Sequence, residues 1–227
     1  MTIKERFQQI EEKIQKACER SGRKREDVIL LAASKTQPIE KIIQAYQCGI
    51  RFFGENRVQE GIEKIEKLKD YPDIHWHLIG GLQTNKVKYA VKYFEMIHSV
   101  DRKELVDEIE KRASKVGKIQ EGLIEVNFGE ESKFGVKEEN LKDLFEYILL
   151  KQHVKILGLM AIPPYFENPE DVRPYFRRLR LLKENLEKEF KVNLPHLSMG
   201  MSHDFEVAIE EGATIVRIGT ALFGERK

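Results

Sequence analysis

Three places in this chain carry side chains that could do chemistry together. The first is Lys35, which closes the apolar run Ile29-Leu-Leu-Ala-Ala-Ser34 just before a helical segment that starts at Pro38. An amine at the mouth of a parallel strand is partly desolvated, so Lys35 is a candidate for covalent Schiff-base chemistry with a bound aldehyde. Local sequence also allows a strand-end lysine with its head in water. The second place is Ser198-Met-Gly-Met-Ser202-His-Asp-Phe-Glu206, and the third is Arg217-Ile-Gly219-Thr220-Ala-Leu-Phe-Gly224. Glycines that let the main chain approach closely, hydroxyl groups and the N–H groups of a short helix start can together hold a phosphate. Gly200 and Gly219 could instead serve only tight turns, and Ser202 only a helix start near His203.

A repeating strand–helix pattern would bring these places together. Short apolar segments at 28–34, 51–54, 74–79, 96–100, 123–128, 156–162, 196–198 and 214–218 alternate with amphipathic ones at 38–48, 58–68, 102–115, 140–151 and 171–190. Eight such units imply an α/β fold of the (β/α)8 TIM-barrel class in one domain, residues 1–227. An open doubly wound sheet would normally use fewer strands and a glycine-rich first turn, and the turn at 34–37 has no glycine. Ile3, Phe7, Ile10, Ile14 and Ala17 recur at helical spacing before Ser21-Gly22, so an additional N-terminal helix precedes the first strand. In a barrel, Lys35, Glu55, Asn56, Asn127, Met160, Ala161, Ser198, Gly219 and Thr220 all fall at or near the carboxyl rim, where such folds place their chemistry. The phosphate-type loops follow strands seven and eight, the usual phosphate end.

A phosphate site opposite an amine suggests a phosphorylated aldehyde held at both ends, and pyridoxal 5′-phosphate needs both. Alternation along Thr214-Ile-Val-Arg217-Ile-Gly219 puts Arg217 on the face of Ile215 and Gly219, inside the barrel. A salt bridge to Glu125 would satisfy it there. Against a pyridine nitrogen, a guanidinium can only donate, which would keep the ring nitrogen unprotonated and weaken it as an electron sink.

Composition excludes several classes. Net charge is only +1 with 34% charged residues, so no single-sign field invites nucleic acid, and no apolar run is long enough to span a membrane. Two cysteines and a polar start predict a cytoplasmic protein with neither a disulfide framework nor a metal cluster. His75 and His77 share a strand face, but no third metal ligand accompanies them. Ser202-His203-Asp204 has triad residue types at a spacing that cannot form a relay, and Lys86 is a weak anion-binding candidate.

The set Ser34-Lys35-Thr36, Gly54-Glu-Asn56-Arg-Val-Gln-Glu60, His77-Leu-Ile-Gly80-Gly-Leu-Gln-Thr-Asn85-Lys86, Phe134-Gly135, Ser198-Met-Gly-Met-Ser202 and Val216-Arg-Ile-Gly-Thr220 closely resembles the pyridoxal phosphate homeostasis proteins. The resemblance implies a barrel similar to the N-terminal domain of alanine racemase, with pyridoxal phosphate carried covalently on Lys35. It also implies phosphate contacts from Ser198, Gly219 and Thr220, with Met201 and Ser202 close by, Arg217 at the pyridine nitrogen and Asn56 beside the ring. Such proteins buffer or carry the cofactor, with apo-enzymes as acceptors and no established turnover. The alternative is an amino-acid racemase, which needs an acid/base group on each face of the planar intermediate. In alanine racemase, by the same likeness, the second group is a tyrosine of another domain. The chain stops at Lys227 without such a domain, and Tyr165 is the nearest substitute or merely a rim aromatic. These points favour cofactor binding by a monomer.

Overall fold

The computed structural model describes residues 1–129 and 134–226. Eight parallel strands close on themselves: β1 (Ile29–Ala33), β2 (Phe52–Glu55), β3 (His75–Leu78), β4 (Met96–Val100), β5 (Gln120–Asn127), β7 (Val154–Met160), β8 (His196–Ser198) and β9 (Ile215–Ile218). Their order is β4-β3-β2-β1-β9-β8-β7-β5, and a further β4–β5 pairing completes the ring, so the expected barrel is present. A short strand, β6 (Val136–Lys137), pairs with the end of β5 through Val126 and Asn127 and lies beyond what periodicity could announce. β5 begins at Gln120, earlier than its apolar core suggests. The Gln120 amide is anchored to the carbonyls of Phe94, Glu95 and Glu121, which makes a polar residue the strand's natural start.

The remaining elements are helices α1 (Ile3–Arg20), α2 (Ile39–Gln47), α3 (Val58–Lys67), α4 (Val87–Tyr93), α5 (Lys103–Lys115), α6 (Leu141–Leu149), α7 (Arg173–Phe190), α8 (Phe205–Glu210) and α9 (Thr220–Phe223). Helix α1 is the added N-terminal one. Thr2 and Glu5 cap its start reciprocally, Gly22 turns the chain at φ 69° after its end, and its buried Ile10, Ile14 and Ala17 pack toward α8, α9 and α2. Among the described residues no helix is long and apolar enough to cross a membrane. Cys18 and Cys48 are both free.

Two apolar layers follow from strand alternation. Leu31, Ile79, Met96, Leu123, Met160 and Ile215 fill the barrel, while a larger layer joins the outer strand faces to the helices. Gly54 faces inward where a Cβ would fall 2.4 Å from the Leu31 side chain, so a larger residue there would displace Leu31.

Candidate functional site

The rim holds what the sequence placed there. Ile29, Leu31 and Ala33 line the interior, so Lys35 continues the inner face one step past β1. It is half-buried and makes no hydrogen bond or ion pair to the described residues. Asn56 follows β2, and its carbonyl sits where any side chain on Gly80 would collide, at 2.1 Å. Asn56, Gly80, Gly81, Glu125, Asn127 and Phe134 line part of a cavity of about 230 Å³ across the mouth. Gly219 and Thr220 follow β9, and Met201 and Ser202 follow β8. Ser202, Thr220 and Ala221 border a more open hollow of about 580 Å³ with Arg6, His203 and Glu225.

The Ser202 hydroxyl does not cap α8, whose N-cap is Asp204; it accepts the Ala221 N–H at 3.1 Å and ties the β8 loop to the first turn of α9. Gly200, with φ 98°, has the Ala208 Cβ only 2.6 Å from where its own Cβ would be, so this loop requires glycine. Gly219, with φ −112°, would meet nothing closer than 3.4 Å and is under no such constraint.

Arg217 is buried inside the barrel, as alternation requires, but its partners are not a carboxylate. Nη1 donates to Ser198 Oγ at 2.6 Å and Nη2 to the Ala161 carbonyl at 3.0 Å, which replaces the expected salt bridge to Glu125. Burial lowers its pKa to about 10, opposed by Glu125 and Asp204, so it stays a cation at neutral pH. Glu125 itself is raised to about 7 by burial, with Asp101 adding and Arg217 opposing. The Ser198 hydroxyl is fully buried and engaged with Arg217.

Ser198 also meets His98, which no motif in the sequence marks. His98 Nδ1 lies 2.9 Å from Ser198 Oγ, and His98 Nε2 lies 2.9 Å from His77 Nδ1. The directions of these bonds follow from the two ends: arginine only donates, and the ionised Glu95 beside His77 Nε2 only accepts, so a neutral His77 keeps its proton on Nε2 and accepts at Nδ1. Ser198 accepts from Arg217 and gives its own proton to His98 Nδ1. His98 then carries its proton on Nε2 and gives it to His77 Nδ1. The His77 proton is left on Nε2, 3.7 Å from Glu95 at the opposite end of the barrel. Burial, then neighbouring positive charge, pushes His98 well below the ordinary histidine pKa, and burial likewise lowers His77, so both rings are neutral as this chain demands. At the far end the His77 contact, against desolvation and aided by His75, holds Glu95 down to about 2. His75 and His77 thus serve hydrogen bonds, and no group of three or more metal-ligating side chains occurs among the described residues. Tyr165 is 77% exposed and lies against His203 at 5.0 Å, a rim aromatic.

The chain forms a closed parallel barrel with a lysine one step past its first strand and a buried arginine on its last, and the model of the family described as alanine racemase, N-terminal domain, matches residues 6–227. The chain is 64% identical over all of its length to the pyridoxal phosphate homeostasis protein of Aquifex aeolicus, of which it also covers 100%, and 41% identical to that of Vibrio alginolyticus, with 99% of this chain and 98% of that one aligned. It belongs to the pyridoxal phosphate homeostasis protein family. The solved structure of PipY from Synechococcus elongatus with pyridoxal phosphate bound superposes with a TM-score of 0.87 at 37% identity, covering 98% of this chain and all of that one. Alanine racemase from Clostridium difficile shares the fold, with a TM-score of 0.70 at 14% identity over 95% of this chain and 55% of that one.

Proposed function

We propose that the protein binds pyridoxal 5′-phosphate through a reversible Schiff base on Lys35 and buffers or delivers it to apo-enzymes, as a monomeric single-domain barrel in the cytoplasm. One observation carries the reading. An amine with no partner among the described residues continues the inner face of β1 at the rim, and a buried, fixed guanidinium occupies the inner face of the adjacent strand β9.

The residues fit the ligand. Bound there, the vitamin supplies an aldehyde carbon that a primary amine attacks with loss of water, a step that hydrolysis reverses. Arg217 offers donors to a ring nitrogen that must arrive as an acceptor. Asn56 borders the cavity beside the ring position. Gly219, Thr220, Met201 and Ser202 would hold the anionic end, and of these Ser202 and Thr220 border the open hollow beside α9. Ser198, which the resemblance assigns to the phosphate as well, also orients Arg217. Racemisation draws no support from Tyr165, which lies exposed against His203.

The names of the relatives and the ligand-bound PipY support the same reading. Borohydride treatment of protein mixed with the vitamer should fix it on the peptide containing Lys35, and Lys35→Ala should abolish that product. Equal labelling of other lysines in wild type and variant would reject the assignment. Delivery is tested separately: transfer to an apo-enzyme must outrun spontaneous release.

A further inference from the structure

The turn that presents Lys35 is held from behind by charged groups that the proposed function leaves unassigned. Thr36 has φ 63°, a left-handed conformation that is unfavourable for a β-branched residue. Its N–H donates to Glu60 Oε1 at 2.5 Å. Lys64 Nζ reaches the Ser34 carbonyl at 2.6 Å, Glu55 Oε1 at 2.7 Å and Glu60 Oε1 at 2.9 Å. Ser34 Oγ donates to the same Glu55 oxygen at 2.7 Å. Both residues flanking Lys35 are thus gripped from the outer face of the barrel, by way of α3, while the amine itself faces inward.

The grip is built. Lys64 is 7% exposed and Glu55 fully buried, and Gly61 lets α3 settle close above them, since a Cβ there would fall 2.5 Å from the Phe94 ring. Glu55 Oε2 finds no hydrogen-bond partner among the described residues, so this buried pair is less than fully satisfied. A replacement by apolar side chains would remove that cost, which makes a purely stabilising role a poor account of it.

We propose that Glu60 and Lys64, with Glu55 beneath them, form a clamp that holds Thr36 in its left-handed conformation and thereby fixes the direction in which Lys35 leaves β1. They are positioning residues. The inference rests on the reading of Lys35 as the covalent anchor. Without the clamp Thr36 relaxes to an ordinary backbone conformation, and the amine no longer enters the barrel mouth in a constant direction.

Glu60→Ala should weaken uptake of pyridoxal phosphate by roughly 5- to 30-fold, the factor that matches the left-handed cost of a residue with a Cβ. Adding Thr36→Gly should restore most of the loss, because glycine enters that conformation freely. Glu60→Gln keeps an acceptor for the Thr36 N–H and should stay within about threefold of wild type by the same hydrogen-bond argument. Uptake is read by absorbance titration well below each melting midpoint, and Glu60→Gln also serves if Glu60→Ala fails to fold. Unchanged uptake in Glu60→Ala, or a loss that Thr36→Gly does not repair, overturns the clamp. A second measurement separates the clamp from the anchor. In ligand-free protein, NMR couplings at Thr36 should report a positive φ in wild type and lose it in Glu60→Ala. If wild type takes up no vitamer the anchor reading fails, while these couplings still decide the clamp.

Discussion

Replacing Ser198 by alanine tests the interior relay at its narrowest point. The hydroxyl is fully buried and has two partners, Arg217 Nη1 at 2.6 Å and His98 Nδ1 at 2.9 Å. A hydrogen bond to a charged group contributes about 1.5–3 kcal/mol, and a buried acceptor left unpaired costs about 1–3 kcal/mol. The removed oxygen leaves a gap smaller than one water, so His98 Nδ1 stays stranded in either tautomer. We expect a destabilisation of about 3–5 kcal/mol, and at about 2–4 °C per kcal/mol a melting midpoint lower by some 6–20 °C. Differential scanning calorimetry at pH 7.5 reads it directly. A double-mutant cycle with His98→Ala should show coupling of about 1 kcal/mol or more, because the two side chains touch. A loss below about 1 kcal/mol, or strict additivity, would show that Arg217 is held without Ser198, and the directional chain would fall with it.

Three other outcomes follow from the same geometry. His77 and His98 have depressed pKa values in the fold, so the unfolded chain binds more protons as pH drops, and stability present above the unfolded histidine pKa of about 6.5 should decline below it, by up to about 1.4 kcal/mol per pH unit for each ring. Urea midpoints between pH 7.5 and 5 check the direction, and a flat profile contradicts neutral buried rings. Glu125 has the opposite sign: raised to about 7, it contributes stability below the unfolded carboxyl range that is lost as pH rises through 7. Glu125→Gln should therefore stabilise the protein at pH 8, by about 1–3 kcal/mol, and have little effect at pH 5. Among the glycines, Gly200→Ala should lower stability by more than about 2 kcal/mol through its positive φ and the 2.6 Å approach of Ala208. Gly219→Ala should cost under about 1 kcal/mol yet weaken phosphate-dependent uptake, a separation visible when melting and ligand titration are run on the same samples.

Those predictions lean unequally on what the sequence disclosed. Alternation carried Arg217 to the barrel interior, and the end of the first strand put Lys35 at the mouth; Leu31, with Ile29 and Ala33 beside it, shows that Lys35 shares the inward parity too. His98 escaped notice although Met96-Ile97-His98 gives it the same inward parity. Its partner Ser198 is 100 residues away, and only closure of the ring brings β4 opposite β8. Polar residues of inward parity on several strands were the available signal. Lys64 was equally visible, three residues after Gly61 and six after Val58 on the buried stripe of α3, where a charge demands a partner. The left-handed Thr36 could not be read, since that conformation arises from tertiary hydrogen bonds that override the residue's own preference.

The interior chain also fixes what Arg217 can offer a ligand at the rim. Arg217 cannot accept a hydrogen bond, and Ser198, His98 and His77 each give their single proton away from the mouth, toward Glu95. The barrel therefore presents donors alone at its arginine, fixed by four successive side chains and insulated from solvent. A pyridine ring that binds there must bring a lone pair and leave its own proton behind. An unprotonated ring withdraws electrons weakly, which slows bond-breaking at an attached amino acid but leaves the reversible condensation of amine with aldehyde intact.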